Sequence, residues 1–165
     1  AVMFSGSVLS NITFGKNRHG KPSKERVKAA IRVSQAEEFV SKLDDKEKAH
    51  IAQGGTNVSG GQKQRLSIAR TIARDPEIYI FDDSFSALDY KTDSTLRSEL
   101  KKYTKDATVM IVAQRIGTIL NADKIVVLDN GKCVGVGTHK ELMKKCKVYK
   151  EIALSQVSKE ELENV

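Results

Sequence analysis

Ile78-Tyr79-Ile80-Phe81-Asp82-Asp83 is the stretch on which the reading of this chain turns. Its four β-forming apolar residues in succession predict a short strand buried on both faces, as in a parallel sheet, with two carboxylates at its carboxyl end. In open α/β sheets ligands bind beyond the carboxyl ends of the strands, so Asp82 and Asp83 stand where chemistry is expected. An acidic residue in that place can hold a magnesium ion beside a nucleotide's phosphates, and it can equally be a strand ending in a turn.

Upstream, Ser59 and Gln62 have capping-box spacing, Leu66, Ile68, Ala69, Ile72 and Ala73 follow, and Asp75-Pro76 stops the predicted helix. Gly60 and Gly61 sit just inside that helix, where each costs roughly 1 kcal/mol relative to alanine, so their presence calls for a further reason. Bare backbone admits a ligand closely, and N–H groups at a helix N-terminus beside the Ser59 hydroxyl suit a phosphate. A capped helix with glycine flexibility is the plainer alternative. Earlier still, apolar residues at helical spacing from Lys24 to Leu43 predict one or two amphipathic helices, and residues 1–15 are apolar, punctuated by Gly6 and Gly15, before the basic loop Lys16–Ser23.

Downstream, helical sequence from Thr92 to Tyr103 leads to a second buried strand, Thr108–Ala113, which ends at Gln114. A short helix near Ile116–Leu120, a strand over Lys124–Asp129 and an Asn130-Gly131 hairpin into Lys132–Val136 follow, and Thr138 with Glu141 opens a final helical region. From Ser155 the sequence is polar and is expected to fray. Strand and helix alternate, which predicts an α/β fold with flanking helices on a mainly parallel sheet.

Composition supports a folded, soluble unit: 165 residues with 39% hydrophobic, 30% charged and 5% aromatic side chains. The net charge of +7, from 28 basic and 21 acidic residues, favours polyanions or anionic lipid without choosing between them. Apolar runs such as 109–113 fall far short of the roughly 18 residues of a spanning helix. Cys133 and Cys146 have no C-x-x-C spacing and no signal-peptide pattern precedes them, which favours a reducing, cytosolic setting. His19, His50 and His139 are too scattered for a metal site, and Asn11-Ile12-Thr13 and Asn57-Val58-Ser59 read as chance matches to the glycosylation pattern. The chain opens at Ala1, in an apolar stretch and without Met, as though cut from a longer protein.

Taken in order, Ser59-Gly60-Gly61-Gln62-Lys63-Gln64-Arg65, the Ile78–Asp82 strand, Ser86-Ala87-Leu88-Asp89 and the later strand ending at Gln114 resemble the nucleotide-binding domain of ATP-binding cassette (ABC) transporters. The first block looks like the ABC signature, the second like the Walker B strand and the third like the D-loop, and Gln114 falls where the family has its switch histidine. Phe4-Ser5-Gly6-Ser7-Val8 with Asn11-Ile12-Thr13-Phe14-Gly15 resembles the segment after the Q-loop of exporter-type members, so the likeness spans nearly the whole chain. The family's fold is a P-loop-NTPase-like α/β domain, but no G-x-x-x-x-G-K-[ST] occurs, so the chain is expected to be the latter part of a cassette and inactive as an ATPase by itself. Residues 1–75 would then be the Q-loop exit and helical signature subdomain, 76–157 the C-terminal part of the ATPase core, and 158–165 a polar tail.

The resemblance implies ATP and Mg2+ as cofactors, with Asp82 toward the metal and Ser59, Gly60, Gly61 and Gln62 toward the ATP of a partner subunit. Asp83 stands where most members carry a glutamate that activates the attacking water. Its carboxylate is withdrawn by roughly 1.5 Å, and a misplacement of about 1 Å can cost on the order of 100-fold in rate. Gln114 can donate a hydrogen bond but cannot become cationic. With an intact signature and a weakened Asp83–Gln114 pair, the chain resembles the degenerate-site subunit of a heterodimeric exporter at the cytoplasmic face of the membrane. Its partners would be a homologous ABC subunit and the transmembrane domain, not nucleic acid. Asp89 reads as a contact to the opposite subunit in preference to a cap of the next helix. Gln53 stands where exporters usually have an acid, or is a plain loop glutamine, and Lys63 and Arg65 are assigned to a solvated or interfacial face. A non-transport ABC ATPase acting on DNA or ribosomes would be expected to carry long coiled-coil insertions, which the sequence lacks. A non-catalytic regulatory cassette is the other alternative.

Overall fold

Side-chain caps set where the longer helices begin in the structure, a computed structural model that describes residues 1–15 and 20–156. His19, with most of the basic loop around it, and the polar tail 158–165 lie outside the described residues. The chain divides into two compact units, Ala1–Met110 and Ile111–Val165.

The first unit starts with β1 (Gly6–Ser7), which pairs antiparallel with β2 (His50–Ile51), and α1 (Val8–Ile12) follows directly, capped by Ser7. The amphipathic stretch resolves into two helices, α2 (Lys24–Val33) and α3 (Glu37–Ser41), separated at Gln35, whose φ is +57°. α2 begins at the Ser23 cap and turns Val27, Ala30 and Ile31 inward at i, i+3 and i+4 spacing. Helix α4 (Gly60–Ala73) is the hub against which α1 and α2 pack. Its Leu66, Ala69, Ile72 and Ala73 are fully buried, and side chains such as Leu66 and Ile72 contribute roughly 1.5–3 kcal/mol each. It ends as the sequence predicts: Arg74 is the C-cap, Asp75 takes a left-handed φ of +50°, and Pro76 follows. Strand β3 (Ile78–Asp82) comes next, then α5 (Tyr90–Tyr103), and β4 (Thr108–Val112) runs across the division between the units.

Two strand expectations are corrected. β3 is covered on one face: Tyr79 and Phe81 are 1% and 2% exposed, whereas Ile78 and Ile80 are 60% and 62% exposed. The unbroken apolar run concealed a period of two, because successive strand side chains point to opposite faces and only one of those faces meets the helices of this unit. β4 is likewise one-sided, with Met110 and Val112 exposed. The α/β fold with flanking helices is as expected, its strands present in small sheets: among the described residues they make three two-stranded sheets, β1-β2, β3-β4 and the β5-β6 ribbon described next, and β1-β2 and β5-β6 are antiparallel.

The second unit contains α6 (Ile116–Ile119), β5 (Ile125–Asp129), β6 (Lys132–Gly137), α7 (His139–Lys145) and α8 (Lys147–Gln156). Asn130 and Gly131, at φ +47° and +74°, close the β5-β6 hairpin with Asp129 opposite Lys132, as an Asn-Gly pair in a tight primed turn should. Thr138 and Glu141 complete a reciprocal capping box on α7. Ile116, Ile125, Val127, Leu142, Cys146, Tyr149 and Ala153 form the core. His139, 5% exposed, shares a 2.8 Å hydrogen bond between Nδ1 and the Tyr149 hydroxyl. Ser155 and Gln156, expected to fray, are helical; the Gln156 amide accepts from the Ile116 N–H and donates to the Gln114 carbonyl.

Candidate functional site

The site is assembled in the first unit from the start of α4 and the turn after β3. Ser59 and Gln62 cap each other: the Ser59 hydroxyl accepts from the Gln62 N–H at 3.2 Å, and the Gln62 side chain accepts from the Ser59 N–H at 2.9 Å. Helix geometry leaves the N–H groups of Gly60 and Gly61 without intrahelical partners, and Ser59 and Gly60 are exposed. The helix dipole gives this end partial positive charge, and Glu and Asp are absent from its first turn.

The two glycines have different reasons for being glycine. A Cβ on Gly60 would meet nothing closer than the Ala87 Cβ at 3.8 Å, so its face is open. A Cβ on Gly61 would lie 3.0 Å from the Ala87 carbonyl oxygen. The expectation that both serve a ligand's approach is therefore divided: Gly61 also lets the loop at residues 86–88 sit against the helix.

Gln64, to which the sequence reading gave no role, fastens that contact. Its Nε2 donates to the Asp83 carbonyl at 3.3 Å and to the Ser86 hydroxyl at 3.1 Å, and its Oε1 accepts from the Ala87 N–H at 3.0 Å. The one signal available beforehand was its spacing: five residues after the cap, it lies at i+3 from Gly61, on the same helix face. Asp83 has a left-handed φ of +46°, and its carboxylate accepts from Ser86 Oγ at 3.2 Å. Asp82 and Asp83 are both exposed, and an opening of about 200 Å3 is lined by Gln64, Ser67, Asp82, Asp83 and Ser84 with Ala1. Asp82, Asp83, Ser67 and Ser84 bring hard oxygen donors to this opening, which fits magnesium, an ion that keeps several waters and takes one or two carboxylates.

Asp89 caps α5, the reading the sequence ranked second: Oδ1 accepts from the Thr92 N–H at 3.0 Å and Oδ2 from its hydroxyl at 2.6 Å. The Thr92 hydroxyl, then its N–H, hold this carboxyl below the usual carboxylate range. Gln114 belongs to the second unit, where its side chain is exposed and its carbonyl is held by Gln156. Gln53 accepts from the Ser5 N–H at 2.9 Å, so it ties its loop to the chain entering β1. Arg65 is half-buried, not simply solvated: it stacks on Phe39, 4.9 Å from the ring centroid, and donates to the Gln35 carbonyl.

The segment before β1 and through α1 is bound to α4 from the other side. Arg70 donates from Nε to the Asn11 carbonyl at 2.8 Å, from Nη1 to the Val2 carbonyl at 2.9 Å and from Nη2 to Asn11 Oδ1 at 2.9 Å. Its guanidinium also lies over the rings of Phe4 and Phe14, which stack on each other at 4.1 Å. Asn11 is 1% exposed with its amide fully engaged, so the first glycosylation match is a packing residue.

A family model described as ABC transporter matches residues 2–86. An uncharacterized ABC transporter ATP-binding protein of Mycobacterium bovis is 45% identical over 154 residues, covering 93% of this chain and 26% of that protein. An ATP-dependent lipid A-core flippase of Francisella tularensis is 40% identical over 147 residues, covering 89% of this chain and 24% of the flippase. The structure of a bacterial Atm1-family ABC exporter with ATP bound superposes with a TM-score of 0.87 at 31% identity, over 94% of this chain and 27% of the exporter. The chain thus spans about a quarter of the length of these relatives.

Proposed function

This chain belongs to the ABC transporter family, as nucleotide-binding-domain sequence homologous to the ATP-binding proteins of ABC exporters, and from that premise we propose that it serves in the ATP-driven energy-coupling domain of a membrane exporter of multidrug or lipid type. The observation that carries this reading is the start of α4: a reciprocal Ser59–Gln62 cap that leaves the Gly60 and Gly61 amides at an exposed helix end with partial positive charge. That is the chemistry of a phosphate clamp. Ser59, Gly60, Gly61 and Gln62 hold the terminal phosphates of ATP carried by a partner subunit.

Asp82 holds Mg2+, directly or through water, from the end of β3. Bound Mg2+-ATP supplies the phosphoryl group to be transferred to water and charge neutralisation at its phosphates. Asp83 occupies the position of the group that orients the attacking water, but its side chain is short and engaged with Ser86. Gln114 gives a neutral amide where a cation would otherwise form. Both features weaken one of the two composite sites, so the full-length protein pairs with a homologous ABC subunit carrying a stronger base, at the cytoplasmic face of the membrane beside its own transmembrane domain. Asp89 joins that intersubunit contact through the acceptor positions its cap leaves free. Residues 1–75 act as the signature subdomain, 76–157 as part of the ATPase core, and the chain alone does not turn over ATP.

The test is Mg2+-ATP binding and hydrolysis by the full-length protein assembled with its partner. Asp82→Asn, which removes the charge at nearly constant shape, should weaken Mg2+-dependent ATP binding at this chain's own site at least tenfold; unchanged binding would refute the assignment. Asp83→Glu with Gln114→His should raise hydrolysis at this site, and no change would remove the degenerate-site account.

A further inference from the structure

The signature end of α4 and the acidic turn after β3 serve different nucleotides in the proposed dimer: residues 59–62 face the ATP of the partner, whereas Asp82 and Asp83 face the ATP of their own subunit. In this chain they are one mechanical piece. The Gln64 amide spans the gap with three hydrogen bonds of 3.0–3.3 Å, taking the carbonyl at Asp83, the hydroxyl at Ser86 and the N–H at Ala87. Gly61 allows the surfaces to meet, since a Cβ there would crowd the Ala87 carbonyl at 3.0 Å. Leu88 is 7% exposed and Phe85 6% exposed, so the turn is anchored in the core below this contact. Gln64 also lines the opening that contains Asp82 and Asp83.

We propose that Gln64 is the positioning residue that couples the two composite ATP sites within one subunit. When the Gly60 and Gly61 amides engage a phosphate, α4 is drawn toward it, and Gln64 transmits the displacement to the backbone of residues 83–87. The carbonyl of Asp83 is the point of attachment, so the carboxylate beside it moves with α4. A hydrogen-bonded amide suits this role because it both donates and accepts: it fixes the turn against displacement in either direction along the helix, which a carboxylate or an apolar side chain of the same length does not. The coupling rests on the assignment of residues 59–62 proposed above, and it adds what that assignment lacks, a physical route from one site to the other inside a single chain.

The experiment is hydrogen exchange and ATP hydrolysis on the full transporter, comparing wild type with Gln64→Ala and Gln64→Glu. Gln64→Glu keeps the acceptor for the Ala87 N–H but loses both donations and turns an anion toward the Asp83 carbonyl. In the wild type, a non-hydrolysable ATP analogue should slow exchange of residues 60–65 and 84–88 together. In both variants the first segment should remain protected while protection of the second is lost. Maximal turnover should fall roughly tenfold while KM changes less than about twofold, with the Hill coefficient dropping toward one. A merely structural role would raise exchange of 84–88 with and without the analogue and leave the Hill coefficient unmoved, which overturns the proposal. Unchanged protection and turnover in both variants overturn it as well. If the wild type shows no analogue-dependent protection of 60–65, the assignment of the signature residues fails and carries the coupling down with it, an outcome told apart by the wild type alone.

Discussion

Alanine at Gly60 and at Gly61 should act in opposite directions, although the two glycines are adjacent on one helix. In a helix a glycine-to-alanine change gains up to about 1 kcal/mol from reduced backbone entropy in the unfolded chain and better propensity. At Gly60 nothing opposes it, since the nearest atom to the new Cβ, on Ala87, is at ordinary contact distance, 3.8 Å. At Gly61 the new Cβ meets the Ala87 carbonyl oxygen at 3.0 Å, and that oxygen belongs to backbone, which cannot swing aside like a side chain. A shift of a few tenths of an ångström in the 86–88 loop costs about 1–3 kcal/mol as overpacking and lengthens the Gln64–Ala87 hydrogen bond, itself worth about 0.5–1.5 kcal/mol. The expected gap between the variants is therefore about 2 kcal/mol, with Gly60→Ala above the wild type and Gly61→Ala below it. For a chain of this size that gap separates their melting temperatures by about 4–8 °C, measurable by calorimetry. Equal melting temperatures for the two variants would refute the claim that Gly61 is glycine because of the loop.

Three further outcomes follow from particular contacts. Arg70→Met should cost about 2–4 kcal/mol in urea unfolding, because it strips three hydrogen bonds, two of them from the buried Asn11, and should open residues 2–14 to protease; Asn11→Ala in the same background should add less than it costs alone. Burial, then the neighbouring Lys140 charge, lowers the pKa of His139, so the unfolded chain binds more protons and stability is lost as pH falls from about 6.5 toward the folded value; His139→Gln should flatten this acid limb in pH-dependent melting. Asp83→Glu should cost about 1 kcal/mol, because a residue other than Asn, Asp or Gly pays for a left-handed φ of +46°, whereas Asp83→Asn should be neutral within about 0.5 kcal/mol.

Features with a local cause were legible in the sequence. The Ser59–Gln62 and Thr138–Glu141 boxes, the Asn130-Gly131 hairpin and the Asp75-Pro76 stop depend on a few neighbouring residues, and each formed where it was expected. What failed was non-local. Four apolar residues at 78–81 cannot say how many of their faces are covered, because coverage depends on which elements reach them. Gln64 shows only its i+3 spacing from Gly61 locally, and that spacing does not reveal partners that lie 19, 22 and 23 residues away in sequence. At Asp89 the local part is legible, since a cap is the commonest task of an aspartate before a helix. Arg70 was missed because an arginine inside an amphipathic helix reads as solvated, while its guanidinium in fact supplies the polar lining between α1 and α4.

Asp83 joins the local and the non-local. At the end of β3 the chain must turn from the strand toward the loop that meets α4, and it does so through a left-handed residue. Aspartate tolerates that conformation better than glutamate, and the same short carboxylate can reach the Ser86 hydroxyl. The position thus has a conformational reason to be aspartate that is independent of any weakening of catalysis. The two reasons separate by where they show. A catalytic deficit shows in turnover, which glutamate raises, whereas a conformational requirement shows in stability, which glutamate lowers and asparagine or glycine leaves intact. Because Gln64 holds the Asp83 carbonyl, a change in the turn reaches the start of α4 as well, so an exchange chosen to restore chemistry at one nucleotide would also move the amides assigned to the other.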